Sequence, residues 1–435
     1  MRILLLTPGT GHFYCGSCLR DNALAGGLRA LGHDAIIAPL YLPLYLEDPT
    51  APEADAEVHM GGINMYLQQV FSPARLLPRP VADLLDGSRL LRWASRQGNM
   101  TDASALGAMT LSMLRGEEGR QARELDKLVG WTGSLERPDV VILANAMLLG
   151  IVRRLKQALD VPVLCTLQGE APFLDALSEP YRTQAWDAVG ERAREVDAFV
   201  PVSRHYGELM SERLALPPER VHPVLNGIDL ADFQAPPPAT PERPTIGYLA
   251  RMCRDKGVHT LVDAFLRLFA SKRVPGARLR IAGVALREDQ ALIAELRRSI
   301  EAAGATDRVE LLPNLERSEK LAFLRSLSVL SVPATYGESF GLYLLEAMAS
   351  GVPVVQPESG AFPEVLDATG GGVLCRPDDP ESLADALGDL LADEERRAAL
   401  AEAGRTAVLS RFGNEHMARG VGEVCRMIAP QAAKA

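Results

Sequence analysis

The stretch Tyr336-Gly-Glu-Ser-Phe-Gly-Leu-Tyr-Leu-Leu-Glu-Ala-Met-Ala-Ser-Gly-Val-Pro353 places a polar loop and an apolar helix directly after a run of strand-forming residues at 329–332. Gly351 and Pro353 mark the end of this helix, because glycine terminates helices readily and proline cannot continue them. A buried strand followed by a loop and a helix is the repeating unit of a parallel sheet. This stretch therefore predicts an α/β fold.

The same alternation of strand and helix runs through both halves of the chain. In the first half we predict strands at 3–7, 35–38, 140–144, 163–167 and 198–202. In the second half we predict strands at 245–249, 278–282, 309–312, 329–332 and 352–355. Two such halves predict two Rossmann-like domains that face each other across a cleft, with ligands at the carboxyl ends of the strands.

The domain boundaries are predicted from where this alternation stops. The stretch Ala235-Pro-Pro-Pro-Ala-Thr-Pro-Glu-Arg-Pro244 favours an extended connector, because its prolines exclude a regular helix. We predict an N-terminal domain at 1–235, a linker at 236–244, a C-terminal domain at 245–408 and a final helical segment at 409–435.

An irregular insertion is predicted at 45–135, where the alternation is lost. Within it, the segment 72–97 carries arginines interleaved with leucines. One interpretation is weak peripheral contact with an anionic membrane surface or an acidic acceptor. The alternative is an amphipathic helix that packs on the sheet and exposes its basic face to solvent.

Charge and hydrophobicity limit the classes of partner. The net charge of -10 argues against nucleic-acid binding, which needs a basic face. The apolar start of the chain is short and is not followed by a small-residue cleavage site, so it predicts a buried strand and not a signal peptide. No apolar run approaches the roughly eighteen residues of a membrane span. We therefore expect a cytoplasmic protein, either free or at the inner face of the membrane.

The glycine-rich loop after the first predicted strand does not match a known nucleotide motif. Gly9 and Gly11 lack the third glycine of a dinucleotide-binding loop, and Gly11 and Gly16 have P-loop spacing without its lysine. The pair Cys15 and Cys18 has no second pair to complete a zinc site, so reduced thiols are expected, with redox or metal use as the alternative. The loop is either an amide-lined approach to a ligand or a tight turn.

The start of the helix in the opening stretch is a predicted anion site. The backbone amides of Phe340, Gly341 and Leu342 lie at a helix N-terminus, where the helix dipole favours negative charge. Gly341 permits a ligand to approach the backbone closely. A diphosphate would suit this position.

Two carboxylates in the same stretch need partners. Glu346 stands inside the apolar run of the helix, where an unpaired charge would cost several kcal/mol. A ribose diol would satisfy Glu346, and Glu338, in the loop, is placed to accept hydrogen bonds from the hydroxyls of a sugar. The alternative is that Glu346 pairs with a buried arginine and that Glu338 caps the helix.

A second motif, Gly247-Tyr-Leu-Ala-Arg-Met-Cys-Arg-Asp-Lys-Gly257, follows another predicted strand. Arg251 and Lys256 project from its loop and would neutralise a diphosphate and stabilise it as a leaving group. The sequence contains no Asp-x-Asp motif to hold a divalent cation. We therefore expect no metal, with the cations of the protein in its place.

Together the two motifs resemble the family 4 retaining glycosyltransferases of GT-B fold, whose signature is an arginine and a lysine in a strand-loop followed by Glu-x7-Glu. Further matching segments are Leu225-Asn-Gly-Ile-Asp229, Ile281-Ala-Gly283 and Ser359-Gly-Ala-Phe-Pro-Glu364. In this family the last helix usually crosses back onto the N-terminal domain, so the resemblance implies the same for the segment 409–435. The resemblance implies donor-binding and catalytic roles for these residues. Arg251 and Lys256 would bind the phosphates, Glu338 would contact the donor sugar and Glu346 the ribose. Backbone amides around the sugar and diphosphate would come from Ser339, Phe340, Gly341 and Leu342, and Gly16 would approach the donor phosphates.

The N-terminal half departs from this family at one position. Many members carry a histidine in a Thr-x-His-Gly-like segment, whereas Thr166-Leu-Gln-Gly-Glu170 has Gln168 there. Because an amide cannot carry a proton, Gln168 cannot replace that histidine as an acid or base. Gln168 and Glu170, with His12 and Tyr14 of the glycine-rich loop, are assigned to the acceptor or sugar side.

The resemblance implies retaining, metal-independent transfer of a sugar from a nucleotide diphosphate donor, with no cofactor beyond this substrate. The acceptor is unknown and belongs to one of four classes: a lipid carrier, a glycan, a small metabolite or a protein. Alternatives are a nucleotide-sugar epimerase or glycosyl phosphorylase of the same fold, and a non-catalytic nucleotide-sugar-binding protein. Analysis of the products formed from donor alone, or from donor with phosphate, would separate the enzymes.

Overall fold

A computed structural model of the chain describes residues 1–9, 16–44, 57–71, 103–237 and 241–429. The predicted acceptor-side residues His12 and Tyr14, together with Cys15 and the basic segment 72–97, lie outside the described residues. By its internal contacts the chain divides into an N-terminal unit, Met1–Asn226 with Asn414–Ala435, and a C-terminal unit, Gly227–Gly413.

The N-terminal unit contains a sheet of five parallel strands in the order β2-β1-β3-β4-β5. The strands are β1 (Arg2–Thr7), β2 (Asp34–Pro39), β3 (Val140–Leu143), β4 (Val163–Leu167) and β5 (Ala198–Pro201). Successive side chains of β1 enter two different hydrophobic cores, Leu4 and Leu6 on one face and Ile3 and Leu5 on the other. Because both faces are covered, the strands are apolar along most of their length.

Eight helices of this unit precede the linker in the described part of the chain. They are α1 (Gly16–Ala30), α2 (Gly62–Val70), α3 (Ala103–Leu114), α4 (Ala122–Ser134), α5 (Val152–Leu159), α6 (Ala171–Asp175), α7 (Tyr181–Ala193) and α8 (Arg204–Leu214). The strand order reverses between β1 and β3, so the carboxyl ends of these strands flank the crevice where open α/β sheets bind ligands.

The region 45–135 differs from the irregular insertion expected from the sequence. Where the structure describes it, this region forms α2, α3 and α4. The sequence of α3, ASALGAMTLSML, is apolar around most of the helix. A helix with so little polar surface shows no clear helical period, and this explains why α3 was not recognisable in the sequence.

The C-terminal unit contains six parallel strands in the order β11-β10-β9-β6-β7-β8. They are β6 (Thr245–Leu249), β7 (Arg278–Gly283), β8 (Val309–Pro313), β9 (Val329–Leu330), β10 (Val354–Pro357) and β11 (Gly372–Cys375). The order reverses between β6 and β9, which pair directly through Ile246 with Val329 and Gly247 with Leu330. The loops that follow β6 and β9 therefore meet at the ligand-binding crevice of this sheet.

The helices of the C-terminal unit follow the strands as predicted. They are α9 (Val258–Ser271), α10 (Gln290–Ala302), α11 (Arg317–Arg325), α12 (Leu342–Ala349), α13 (Phe362–Thr369), α14 (Pro380–Ala392) and α15 (Glu394–Arg411). The unit begins at Gly227, upstream of the linker placed by the prolines, because the chain there is held within the unit. Ile228 donates its backbone amide to the carbonyl of Phe412 at 2.9 Å, and Arg405 donates to the carbonyl of Ala235 at 2.9 Å.

The last helix, α16 (Asn414–Ile428), belongs to the N-terminal unit. Its side chains Met417, Val421 and Cys425 are buried in the same core as Leu24 and Leu28 of α1. The two parallel sheets with their covering helices confirm the predicted α/β class of two Rossmann-like domains.

The described residues contain neither a membrane-spanning helix nor a cluster of metal ligands. None of the described helices is both long enough and apolar enough to cross a membrane. Within the same residues, no group of three or more His, Cys, Asp or Glu side chains is placed to hold a metal ion.

Candidate active site

A buried ion pair joins the loops that follow β6 and β9. Lys256, from the first loop, donates from Nζ to Oε2 of Glu338, from the second, at 2.5 Å. The side chain of Glu338 is 8% exposed and that of Lys256 is 23% exposed. The structure therefore brings together two predicted site residues that lie 82 positions apart in the sequence.

Two tyrosine hydroxyls complete the contacts of this pair. Tyr343 donates to Oε2 of Glu338 at 3.0 Å, and Tyr336 contacts both Lys256 and Glu338 through its hydroxyl. Burial raises the pKa of both tyrosines, and the charge of Glu338 raises it further. Burial alone would lower the pKa of Lys256, but the charge of Glu338, together with Tyr336 and the hydrogen bonds to both residues, raises this pKa above its ordinary value. Lys256 is therefore a stable cation and both phenols remain protonated donors.

Two glycines allow the loops to pack closely behind the pair. Gly257 has φ +69°, and a Cβ there would lie 1.7 Å from the carbonyl oxygen of Pro333. Gly360 has φ +59°, and a Cβ there would lie 2.5 Å from the amide nitrogen of Glu338. Any side chain at either position would clash with backbone, so these glycines fix the distance between the loops.

The N-terminus of α12 lies beside Glu338 in the sequence and in the loop. Its N-cap residue is Gly341, which has no side chain to cap the helix. Phe340 and Ser339 are buried directly before it. Because the first turn of a helix leaves amides without intrahelical partners, this end presents donors and a positive dipole. The anion site predicted from the sequence lies at this end of α12 and stays a prediction.

Arg251 lies in the same loop as Lys256 but makes different ion pairs. Its Nε and Nη2 donate to the two carboxylate oxygens of Asp289 at 3.0 Å each, and Nη2 also donates to Glu288 at 2.5 Å. Burial would lower the pKa of Arg251, but the hydrogen bonds that it donates to these two carboxylates raise it. The hydroxyl of Tyr248 donates to the carbonyl of Arg251 at 2.7 Å and fixes the backbone of the loop.

Tyr248, which binds the backbone of Arg251, is a fully buried phenol. Burial raises its pKa well above the ordinary value, and neighbouring negative charges, among them Glu338 and Asp289, add to that rise. Arg251 and Lys256 lie on the same loop, and their ion pairs in the described structure involve different carboxylates.

Glu346, one turn into α12, is paired with a lysine of α11. Its Oε1 accepts a hydrogen bond from Nζ of Lys320 at 2.8 Å, and both side chains are largely buried. From the sequence we predicted that this carboxylate has a partner, either the ribose of a ligand or a buried arginine. In the structure its partner within the protein is a lysine. The other alternative, Glu338 as a helix cap, does not occur, since no side chain caps α12.

Three of the predicted residues of the N-terminal unit, Gly16, Gln168 and Glu170, belong to the described part of the chain. Gly16 is exposed at the start of α1. After β4, Gln168 donates from Nε2 to Oδ1 of Asp21 at 2.9 Å and to the carbonyl of Ala144 at 2.6 Å. Both contacts hold the amide of Gln168 at the crevice between β1 and β3.

Glu170 is buried and both of its carboxylate oxygens are engaged. Oε1 accepts the amide of Ala146 at 2.9 Å. Oε2 accepts the amides of Gln168 at 3.1 Å and Gly169 at 3.0 Å, and the hydroxyl of Tyr206 at 2.9 Å. These four donors make Glu170 the centre of the loop after β4.

A buried ion pair in α1 was not foreseen from the sequence. Arg20 and Asp21 have fully buried side chains, and Nη1 of Arg20 lies 3.3 Å from Oδ1 of Asp21. Thr7 donates to Asp21 at 3.0 Å, and Arg20 donates to Asn226 at 3.2 Å. Burial raises the pKa of Asp21 and lowers that of Arg20. Adjacent opposite charges on a helix usually indicate a solvent-exposed surface, so the sequence gave no signal for this pair.

Two family models match consecutive parts of the chain. Residues 22–227 match the Glycosyl transferase 4-like domain and residues 231–407 match Glycosyl transferases group 1. The D-inositol 3-phosphate glycosyltransferase of Xylanimonas cellulosilytica is 31% identical over 410 residues, which cover 84% of this chain and 91% of that relative. The chain belongs to the group 1, family 4-like glycosyltransferases. The transferase is also 27% identical over 443 residues to glycogen synthase of Mycobacterium tuberculosis, with 98% of this chain and 94% of that protein covered.

Solved structures share the fold of the transferase at low sequence identity. Sucrose-phosphate synthase from Thermosynechococcus elongatus superposes with a TM-score of 0.71 at 20% identity, covering 100% of both chains. Anabaena HepE in complex with UDP superposes with a TM-score of 0.68 at 18% identity, covering 98% of this chain and 100% of that one. These similarities confirm the predicted GT-B fold, and the family confirms that the transferase is an enzyme.

The sequence reasoning missed several residues that hold the site of the transferase. Tyr336 and Tyr343 belong to the opening motif, where they flank Glu338 in the sequence, and this position was the available signal. Asp289 and Lys320 lie on other loops and helices. Nothing in their local sequence indicates a partner, because their contacts depend on the order of the strands.

Proposed function

We propose that the transferase moves a sugar from a nucleotide diphosphate donor to an acceptor, with retention at the anomeric carbon and without a metal. The observation that carries this proposal is the Lys256–Glu338 pair at the reversal of strand order, directly before the uncapped N-terminus of α12. A cation, a carboxylate and free amides in one place suit a substrate that joins a sugar to a diphosphate.

Each residue has a chemical role in this proposal. Lys256 and Arg251 neutralise the diphosphate, with the amides from Phe340 to Leu342 on the same group. Glu338 accepts hydrogen bonds from hydroxyls of the donor sugar, and Glu346 accepts them from the ribose. The tyrosines around Glu338 are donors, so they leave it a charged acceptor.

The bond changes need no nucleophile from the protein. The bond from the anomeric carbon to the phosphate oxygen breaks while the acceptor oxygen bonds to the same face of that carbon. The acceptor proton passes to an oxygen of the departing phosphate, and the products are the glycosylated acceptor and the nucleoside diphosphate. Lys256 stabilises the charge that develops on the leaving oxygen. On this route Gln168, which cannot carry a proton, has only a binding role.

A uridine nucleotide is the first donor to test. Solved HepE structures of the same fold contain UDP and UDP-glucose. GDP and ADP sugars remain in the panel because the base contacts are expected from backbone near 312–314, which side-chain identity does not encode. The acceptor is proposed to be a lipid carrier, a glycan, a small metabolite or a protein.

A thermal-shift screen of UDP, GDP and ADP sugars, run in EDTA, is the direct test of the donor site. We expect one nucleotide series to raise the melting temperature. Saturation at about 100 times the dissociation constant corresponds to about 2.7 kcal/mol of added stability. EDTA should leave the shift and the turnover unchanged, because the protein supplies the cations. If the rise in melting temperature requires added Mg²⁺, donor binding is not metal-independent. If no nucleotide raises the melting temperature, the proposed donor site is wrong.

Retention is tested by the configuration of the product. With an α-linked donor, we expect NMR of the initial product to show the α anomer at the new linkage. A control reaction without acceptor should release nucleoside diphosphate only slowly. An initial β product would show inversion and would exclude front-face attack.

A further inference from the structure

Arg251 is held by two carboxylates that have no role in the mechanism above. Asp289 accepts from Nε and from Nη2 at 3.0 Å each, and Glu288 accepts the other hydrogen of Nη2 at 2.5 Å. The Asp289 side chain is 5% exposed, whereas that of Glu288 is 61% exposed. Two neighbouring residues thus offer one fixed and one solvent-exposed carboxylate to a single guanidinium.

Asp289 is itself anchored. Its Oδ2 also accepts the backbone amide of Leu286 at 3.0 Å, so the carboxylate is tied to the loop before α10. On the other side, Tyr248 holds the carbonyl of Arg251. Parallel hydrogen bonds from one guanidinium to both oxygens of a carboxylate fix the plane of the group as well as its position. The guanidinium of Arg251 is therefore oriented before any ligand arrives.

Glu288 makes a single contact, to the same Nη2 that Asp289 engages. Exposed ion pairs are weak, since solvent screens them and both side chains lose freedom. A diphosphate, which carries two negative charges where a carboxylate carries one, can take the place of such a carboxylate at little cost. The same argument does not apply to Asp289, whose two contacts to Arg251 are largely shielded from water.

We propose that Asp289 is a positioning residue that orients Arg251 toward the diphosphate of the donor, and that Glu288 is a counterion which this diphosphate displaces. The inference rests on the proposed function, because it takes Arg251 as a phosphate ligand. Glu288 therefore competes with the donor for Arg251: it pairs with the guanidinium in the absence of donor, and the diphosphate displaces it on binding.

The first test is Glu288→Gln, with binding of UDP, GDP and ADP measured by calorimetry at low ionic strength. We expect the nucleotide that binds the wild type to bind the variant about three- to fivefold more tightly, the range that an exposed ion pair supports. The gain should vanish near 1 M salt, where the screening length is about 3 Å. The donor KM should fall, with little change in kcat.

The matched control is Glu295→Gln. Glu295 lies on α10, shortly after Glu288, and pairs with Arg254 of the same loop as Arg251 at 2.6 Å, with both side chains about half exposed. Because Arg254 has no assigned role with the donor, nucleotide affinity should not change in this variant. An equal gain in both variants would show a general effect of net charge and would overturn the role of Glu288.

The second test is Asp289→Asn, which keeps the shape and removes the charge. We expect a donor KM at least about tenfold higher, since the guanidinium loses a buried charged partner, and a melting temperature recorded in parallel. Asp289→Glu should restore part of the loss. If the asparagine variant does not fold, Asp289→Glu decides the positioning role, because it keeps the charge but displaces the carboxylate, and an unchanged donor KM in this variant would exclude the role.

The outcomes distinguish failure of the donor site from failure of the roles of Glu288 and Asp289. If the wild type binds none of the three nucleotides, the proposed donor site fails and this inference fails with it. If the wild type binds one and Arg251→Met weakens it, while Glu288→Gln leaves the affinity unchanged or lowers it, the donor site stands and the counterion is excluded. If Asp289→Asn folds with an unchanged donor KM, the positioning role is excluded.

Discussion

Replacing Glu338 with glutamine is expected to reduce turnover about a hundred- to a thousandfold, the range seen when one charged or dipolar contact to a transition state is lost. The amide keeps the size of the side chain but loses the charge that strengthens its hydrogen bonds to the sugar. It also turns one acceptor oxygen into a donor, which then faces the hydroxyls of Tyr336 and Tyr343. The fold should survive, because the hydroxyls can rotate and Lys256 keeps contact with solvent.

Turnover at saturating donor, together with the melting temperature, measures this effect. Glu310→Gln is a suitable control: Glu310 pairs with Arg280 at 2.6 Å in the same unit, and its side chain is half exposed. We expect wild-type turnover from the control. A Glu338→Gln variant that retains full activity with its best acceptor would show that the donor site is assigned to the wrong residues.

Lys256→Met is expected to reduce turnover by about a thousandfold, because it removes the cation nearest the proposed leaving group. Unlike the glutamine substitution, it should also destabilise the protein. Glu338 would stay buried without its counter-charge, and removing one partner of a buried pair costs about 3–5 kcal/mol. Turnover, nucleotide affinity and denaturant unfolding should therefore all change. Arg254→Met, in the same loop, should alter stability by no more than about 1 kcal/mol, because its pair with Glu295 is exposed.

The pH dependence of this pair follows from the raised pKa of Lys256. A group whose pKa is higher in the folded protein contributes stability that is fully present below its ordinary pKa and is lost as the pH rises through the folded value. The loss of stability from Lys256 should therefore begin only above the ordinary range of lysine. If Lys256→Met has wild-type stability at neutral pH, or its unfolding retains the alkaline transition assigned to Lys256, the pair contributes nothing to the fold.

The sequence was sufficient to predict the fold class and the sheet edge at which Lys256 and Glu338 lie. The apolar strands of both sheets are buried on two faces, so their short hydrophobic runs and the helices between them were readable locally. Lys256 and Glu338 each follow a predicted strand, and this placed both at a carboxyl edge. Their direct contact also required β6 and β9 to be neighbours. That adjacency comes from the strand order, which local patterns do not contain.

The charges that hold the site in place were beyond such reasoning. Arg251 with Asp289, Glu346 with Lys320, and the buried pair Arg20 and Asp21 each depend on which loops the fold brings close. A buried carboxylate in an apolar helix signalled that a partner must exist but not which one. The prediction of helix α3 failed for a different reason. This helix is apolar around most of its surface, so its sequence shows no clear helical period.

The return of α16 to the first sheet has a consequence for synthesis. During translation, α1 and the strands beside it leave the ribosome long before Met417, Val421 and Cys425, which complete their hydrophobic core. The nascent chain must carry an unfinished apolar surface while the whole of the second sheet is made. Domains usually fold in order from the N-terminus as they emerge. In this protein the C-terminal sheet can fold before the N-terminal core is complete. If translation stalls before α16 is made, the hydrophobic core beside α1 stays exposed.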